Sequence, residues 1–122
     1  MGRYDKDFTY FETEVSFKKS LSIQRELFKK AKFYKRYDLM ADAIENIKSE
    51  IKERTNEKFK NHITEVEKRL DWFSNLDFIY SKKTPNGRRI IFPTNINIKK
   101  NKVLTYSYEI LLQIQNDMGL LI

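Results

Sequence analysis

Apolar residues recur at three- and four-residue intervals through most of this chain, and little interrupts them. Between Gly2 and Pro85 there is neither glycine nor proline, and so long a run without breakers predicts helix. Thr9-Tyr10-Phe11-Glu12 has the form of a capping box, so a first helix is expected to begin near Thr9, with Ser16 and Ser20 as later alternatives. Phe17, Leu21, Leu27, Phe28, Ala31 and Tyr34 would form its buried face. The pattern loosens at Tyr34-Lys35-Arg36-Tyr37-Asp38, which predicts a turn or kink. Leu39, Met40, Ala43, Ile44, Ile47 and Ile51 then predict a second helix over about residues 38–54. Phe59, Ile63, Val66, Leu70 and Phe73 predict a third over about residues 56–75. A break at Thr55-Asn56 is favoured over one continuous rod, because ~37 unbroken residues is long for a helix in a small domain.

The stretch IYSKKTPNGRRIIF interrupts this regime. Pro85 suits the first central position of a type I turn, and Gly87 the left-handed residue after it. A three-residue loop sets Lys82 opposite Ile90, Tyr80 opposite Phe92 and Phe78 opposite Thr94. Phe78, Tyr80, Ile90 and Phe92 would then share a face that packs on the helices; a two-residue Asn-Gly loop gives a less tidy face. Asn-Ile-Asn-Ile-Lys-Lys-Asn-Lys, residues 95–102, alternates and is expected to be extended. A last helix over about residues 102–118 would be capped by Asn101 and stopped by Gly119. Leu120, Leu121 and Ile122 would pack back or meet a partner. The expected class is mainly α: one domain over residues 1–122, with three or four helices and one β-hairpin, about residues 78–94, packed on them.

Composition narrows the chemistry. The 122 residues suit one domain, and nine Phe, seven Tyr and one Trp supply bulk for its core. The absence of cysteine excludes a disulfide scaffold, a thiolate nucleophile and Cys-based metal sites. His62 is the one histidine, so His-paired metal sites and Ser-His-Asp triads lack parts. Glycine occurs only at 2, 87 and 119, which leaves no glycine-rich phosphate loop. No enzyme activity and no cofactor or metal is expected. The charged start MGRYDKDF lacks the apolar run of a secretory signal, and no segment approaches the ~18 apolar residues of a membrane span. A soluble, cytoplasmic protein with no membrane partner is expected.

Charge supplies the candidate site. The net charge of +7 is concentrated in two blocks: residues 18–36 hold eight basic groups and one acidic, and residues 82–102 hold seven basic and none acidic. Lys18, Arg25, Lys29, Lys32 and Arg36 fall within about 40° of one direction at helical spacing. Such a line of cations would follow a phosphate backbone and gain affinity by counterion release, or would simply be a solvated face. Lys82, Lys83, Arg88 and Arg89 crowd the hairpin tip, which suits clamping phosphates as well as protecting an exposed strand edge.

Residues 63–92 resemble the third helix and wing of winged-helix DNA-binding domains. Val66, Leu70, Phe73, Asp77, Phe78 and Ile79 follow that family's apolar spacing, with Asp77 where glycine is usual. The resemblance implies that Lys82, Lys83, Arg88 and Arg89 would touch phosphate or the minor groove. The expected function is therefore non-enzymatic binding to the phosphate backbone of DNA or RNA. The alternative is a helical interaction or assembly subunit, such as a component of a phage or mobile-element particle, forming homo-oligomers through the apolar C-terminus.

Overall fold

Four helices form where the apolar spacing is densest. The computed structural model describes the backbone of residues 3–55, 57–79, 81–83, 89–91 and 93–121, and the side chains of residues 15–55, 57–76 and 96–121. Its elements are α1 (Arg3–Phe33), α2 (Tyr37–Lys52), α3 (Glu57–Ile79), β1 (Ser81–Lys83), β2 (Arg89–Ile91) and α4 (Pro93–Asp117). The protein is thus mainly α. Among the described residues no helix is long and apolar enough to cross a membrane.

Each helix lies alongside the one before it. The Ser20 hydroxyl donates to Glu50 at 2.8 Å and the Asn46 amide to Gln24 at 3.3 Å, which sets α1 antiparallel to α2. The Arg69 guanidinium of α3 lies 4.1 Å from the Tyr106 ring centroid of α4, and the Lys100 ammonium of α4 lies 6.0 Å from Phe73 of α3. Helix α4 therefore runs antiparallel to α3. It also runs antiparallel to α1, because Phe28 meets Tyr108 and Arg25 meets Gln115. Leu21 and Phe28 from α1, Met40, Ile44, Ile47 and Ile51 from α2, Val66 from α3, and Leu104, Leu111 and Ile114 from α4 are all essentially inaccessible to solvent. Each such side chain contributes about 1.5–3 kcal/mol by leaving water.

The breaks at residues 34–36 and 53–55 are present, and residues 37–79 form two helices. At the first, Lys35 adopts φ +56°. Its N–H bonds the Lys32 carbonyl at 3.1 Å, and the Arg36 N–H reaches back to Ala31 at 2.8 Å. This pair of bonds is a Schellman motif with lysine where glycine is usual. Helix α4 ends in the same way: Gly119 has φ +70°, its N–H bonds Asn116 at 3.1 Å, and the Leu120 N–H bonds Gln115 at 2.8 Å. Leu120 thereby folds into the core. It packs back rather than offering an apolar surface to a partner, while Leu121 stays partly exposed.

Several expectations need correction. Helix α1 begins at Arg3, not near Thr9. Nothing between residues 3 and 8 breaks a helix. Helix α4 begins at Pro93, so residues 95–102 are helical and Asn101 is not a cap. Pro93 sits at the first helical position, where its missing N–H has no partner to lose. Ile96 is buried with Val103 and Leu104, seven and eight residues on, whereas Ile98 is half exposed. The expected hairpin of residues 78–94 is not seen in that form. Ser81, Lys82 and Lys83 pair antiparallel with Ile91, Ile90 and Arg89, but Phe78 belongs to α3 and Thr94 to α4. Tyr80, Phe92 and the turn at residues 84–88 lie outside the described residues. Leu27, Tyr34 and Leu39, expected on buried faces, are 49%, 69% and 44% exposed.

A non-glycine residue at positive φ costs about 1–2 kcal/mol, partly offset by the entropy glycine loses on folding. In urea unfolding, Lys35→Gly is therefore expected to stabilise the protein by about 1 kcal/mol. Nothing lies within 4 Å of a Cβ built on Gly119. Gly119→Ala should therefore destabilise by about the same ~1 kcal/mol through the backbone alone.

Candidate nucleic-acid interface

The line of cations on α1 borders the core instead of opposing it. The buried direction of α1 is set by Leu21 and Phe28, and Arg25, four residues after one and three before the other, shares their face. Arg25 is only 8% exposed. Its Nη1 donates to Oε1 of Gln115, whose own Nε2 donates to the Leu111 carbonyl at 3.1 Å. Arg25 thus joins α1 to α4 and is not on the exposed stripe. Lys18 is half-buried, while Lys29 and Lys32 are exposed. Lys29 lies 3.3 Å from Glu26, with both side chains well solvated, so that pair is worth little.

Arg36 has left the helix. It stands in the α1–α2 turn, and its Nε and Nη2 donate to the Asp38 carboxylate at 3.3 and 3.2 Å. That hydrogen bonding is the main reason the Asp38 carboxyl sits below its usual range. Arg36 faces a groove between α1 and α2 rather than continuing the line of Lys29 and Lys32. Lys82, Lys83 and Arg89 lie on the short ladder. Their side chains, and all of Arg88, fall outside the described residues.

Side chains that were not picked out from the sequence bring the two basic blocks together. Lys35, in the α1–α2 turn, and Lys102, on α4, line one cleft of about 470 Å³ with Tyr37, Asn97, Ile98 and Asn101. Lys35 lies next to the end of the first positive block, and Lys102 closes the second. The signal was present in the charge distribution, but it depended on residues 95–102 being helix. A second cavity, the α1–α2 groove of about 610 Å³, is apolar, with Leu27, Ala31, Tyr34, Leu39 and Ala43 among its lining. Tyr108, stacked on Phe28 beneath Lys29, has its hydroxyl pKa pushed up by burial, while Lys29 and Arg25 pull it down.

His62 is exposed on α3, and among the described residues no group of three or more His, Asp or Glu side chains is placed to hold a metal ion. No protein-family model, curated protein or solved structure matches this chain.

Replacing Arg25 by alanine would leave Gln115 Oε1 without its donor and open a cavity between α1 and α4. Arg25→Ala should destabilise by about 2–4 kcal/mol, whereas Lys29→Ala should change stability by less than about 0.5 kcal/mol. Urea unfolding of the two variants separates a structural arginine from a surface lysine.

Proposed function

We propose that this protein binds nucleic acid through the phosphate backbone and catalyses no reaction on it. One observation carries the proposal: Lys35 and Lys102, one from each positive block and far apart in sequence, line one cleft where the α1–α2 turn faces α4. Lys29 and Lys32 extend that positive ground along α1. Cations gathered on one side displace the counterions condensed on a polyanion, and the entropy of their release drives binding. Phosphate contacts of this kind carry no sequence information directly, so this part of the binding is sequence-independent. The resemblance of residues 63–92 to a winged helix adds a second contact, in which Lys82, Lys83, Arg88 and Arg89 touch phosphate. DNA and RNA both satisfy this chemistry, in the cytoplasm or elsewhere.

A second reading, a subunit that docks on another protein or on its own copies in a larger assembly, is favoured by the apolar α1–α2 groove with Leu27, Tyr34 and Leu39 half exposed or more. At the C-terminus, Leu120 is buried in its own core and Leu121 is exposed, while Ile122 lies outside the described residues.

Binding to single-stranded and duplex oligonucleotides should weaken steeply with salt. Lys29→Glu with Lys32→Glu should lower affinity at least tenfold at ~50 mM salt and reduce the salt slope by about 1–2, with unfolding unchanged. Salt-insensitive binding would contradict the proposal. Absence of binding at ~50 mM salt, with a stable oligomer by light scattering, would favour the assembly reading.

A further inference from the structure

We propose that the cleft between the α1–α2 turn and the first turns of α4 is a seat for one phosphate group of a nucleic-acid strand. This rests on the nucleic-acid reading above and names where a strand is gripped. The residues lining the cleft carry donors and no carboxylate: Lys35, Lys102, Asn97, Asn101 and Tyr37. Three other cavities among the described residues differ. The α1–α2 groove is lined by Asp42, the cavity where α2 meets α3 by Glu57 and Glu67, and the one between α3 and α4 by Glu65 and Asp117. A carboxylate repels a phosphate and gives a lysine an internal partner. Among the described residues, Lys35 and Lys102 form no ion pair.

The amides are arranged for the same chemistry. Asn97 and Asn101 are one turn apart on α4 and so share a face. The Thr105 hydroxyl donates to Asn101 Oδ1 at 3.3 Å, which leaves the Asn101 NH2 to donate to a ligand. A phosphate oxyanion accepts hydrogen bonds from ammonium and amide donors of this kind. The cleft is larger than one phosphate requires, and Tyr37 and Ile98 provide wall for the sugar attached to it.

The seat is also held in place. Lys35 sits at φ +56° between two Schellman hydrogen bonds, so the turn that presents it is fixed before any ligand arrives. A fixed turn leaves only the lysine side chain to be ordered on binding. Lys29 and Lys32 continue from it along α1 and would meet neighbouring phosphates of the same strand, which a solitary anion or a lipid headgroup lacks.

The test uses the variant Lys35→Gly with Lys102→Gln. Glycine suits the backbone at position 35, so lost binding would not come from lost structure. Isotope-labelled protein is titrated with inorganic phosphate, with a single-stranded oligonucleotide and with phosphatidylserine vesicles, following the side-chain NH2 resonances of Asn97 and Asn101. Phosphate and oligonucleotide are both expected to shift them. In the variant those shifts should vanish, and oligonucleotide affinity should fall about tenfold. Oligonucleotide binding that leaves both resonances unmoved and survives in the variant would overturn the seat and leave the nucleic-acid reading standing. Shifts with phosphate or vesicles, but no oligonucleotide binding, would overturn the nucleic-acid reading and with it the ligand assigned here.

Discussion

Helix α4 packs chiefly on α3 and α2, and a narrow contact with α1 adds the constraint on which the cleft depends. Phe28 stacks on Tyr108 with ring centroids 4.0 Å apart and planes 4° from parallel. One turn away, buried Arg25 reaches Gln115. Such a stack adds about 0.5–1.5 kcal/mol beyond the area it buries, and the arginine supplies a charge-assisted hydrogen bond where water is scarce. Together they tie α1 to α4, whose own direction is set mainly by its packing on α3 and α2. Residues more than sixty apart in sequence then become neighbours, Lys35 and Lys102 among them.

Two local devices complete that placement. The α1–α2 turn is closed by backbone bonds around a left-handed lysine, so the end of the first positive block is fixed in space. Pro93 starts α4 early enough for Asn97, Asn101 and Lys102 to lie on helix. Had residues 95–102 been extended, the same lysines would be spread along a connecting segment. The charge of the two blocks is a property of composition, whereas their convergence is a property of packing. Arg25 marks the difference, because it belongs to the positive block by sequence and to the interior by position.

Where one stripe of apolar residues dominates, the sequence was legible. Helix α2 carries Met40, Ala43, Ile44, Ile47 and Ile51 on one face and stays within two residues of its expected bounds. The break before α3 was legible from helix length alone, and Gly119 from its place after the last apolar residue. Helix α4 was harder, because Ile96 and Ile98 imitate strand alternation, and only the longer spacing from Ile96 to Val103 and Leu104 reveals the helix. On α1 the apolar residues fall on two flanks. Leu21 with Phe28, and Leu27 with Tyr34, both fit helical spacing, and only the partner helices decide which pair is buried. That choice moved Arg25 inward. The cleft was hidden for the same reason: it is made of one turn and one helix that meet through the core.

The central claim is that the first turns of α4 lie beside the α1–α2 turn, so that Lys35 and Lys102 line one cleft. The chain contains no cysteine, so a single nitroxide can be attached through Lys35→Cys without competing sites. Paramagnetic broadening of backbone amide resonances then reports what lies near it. The account predicts broadening of Asn97, Asn101 and Lys102, with residues 57–62, at the far end of the bundle, unaffected. Sharp resonances at residues 97–102, or equal broadening of residues 57–62, would contradict it.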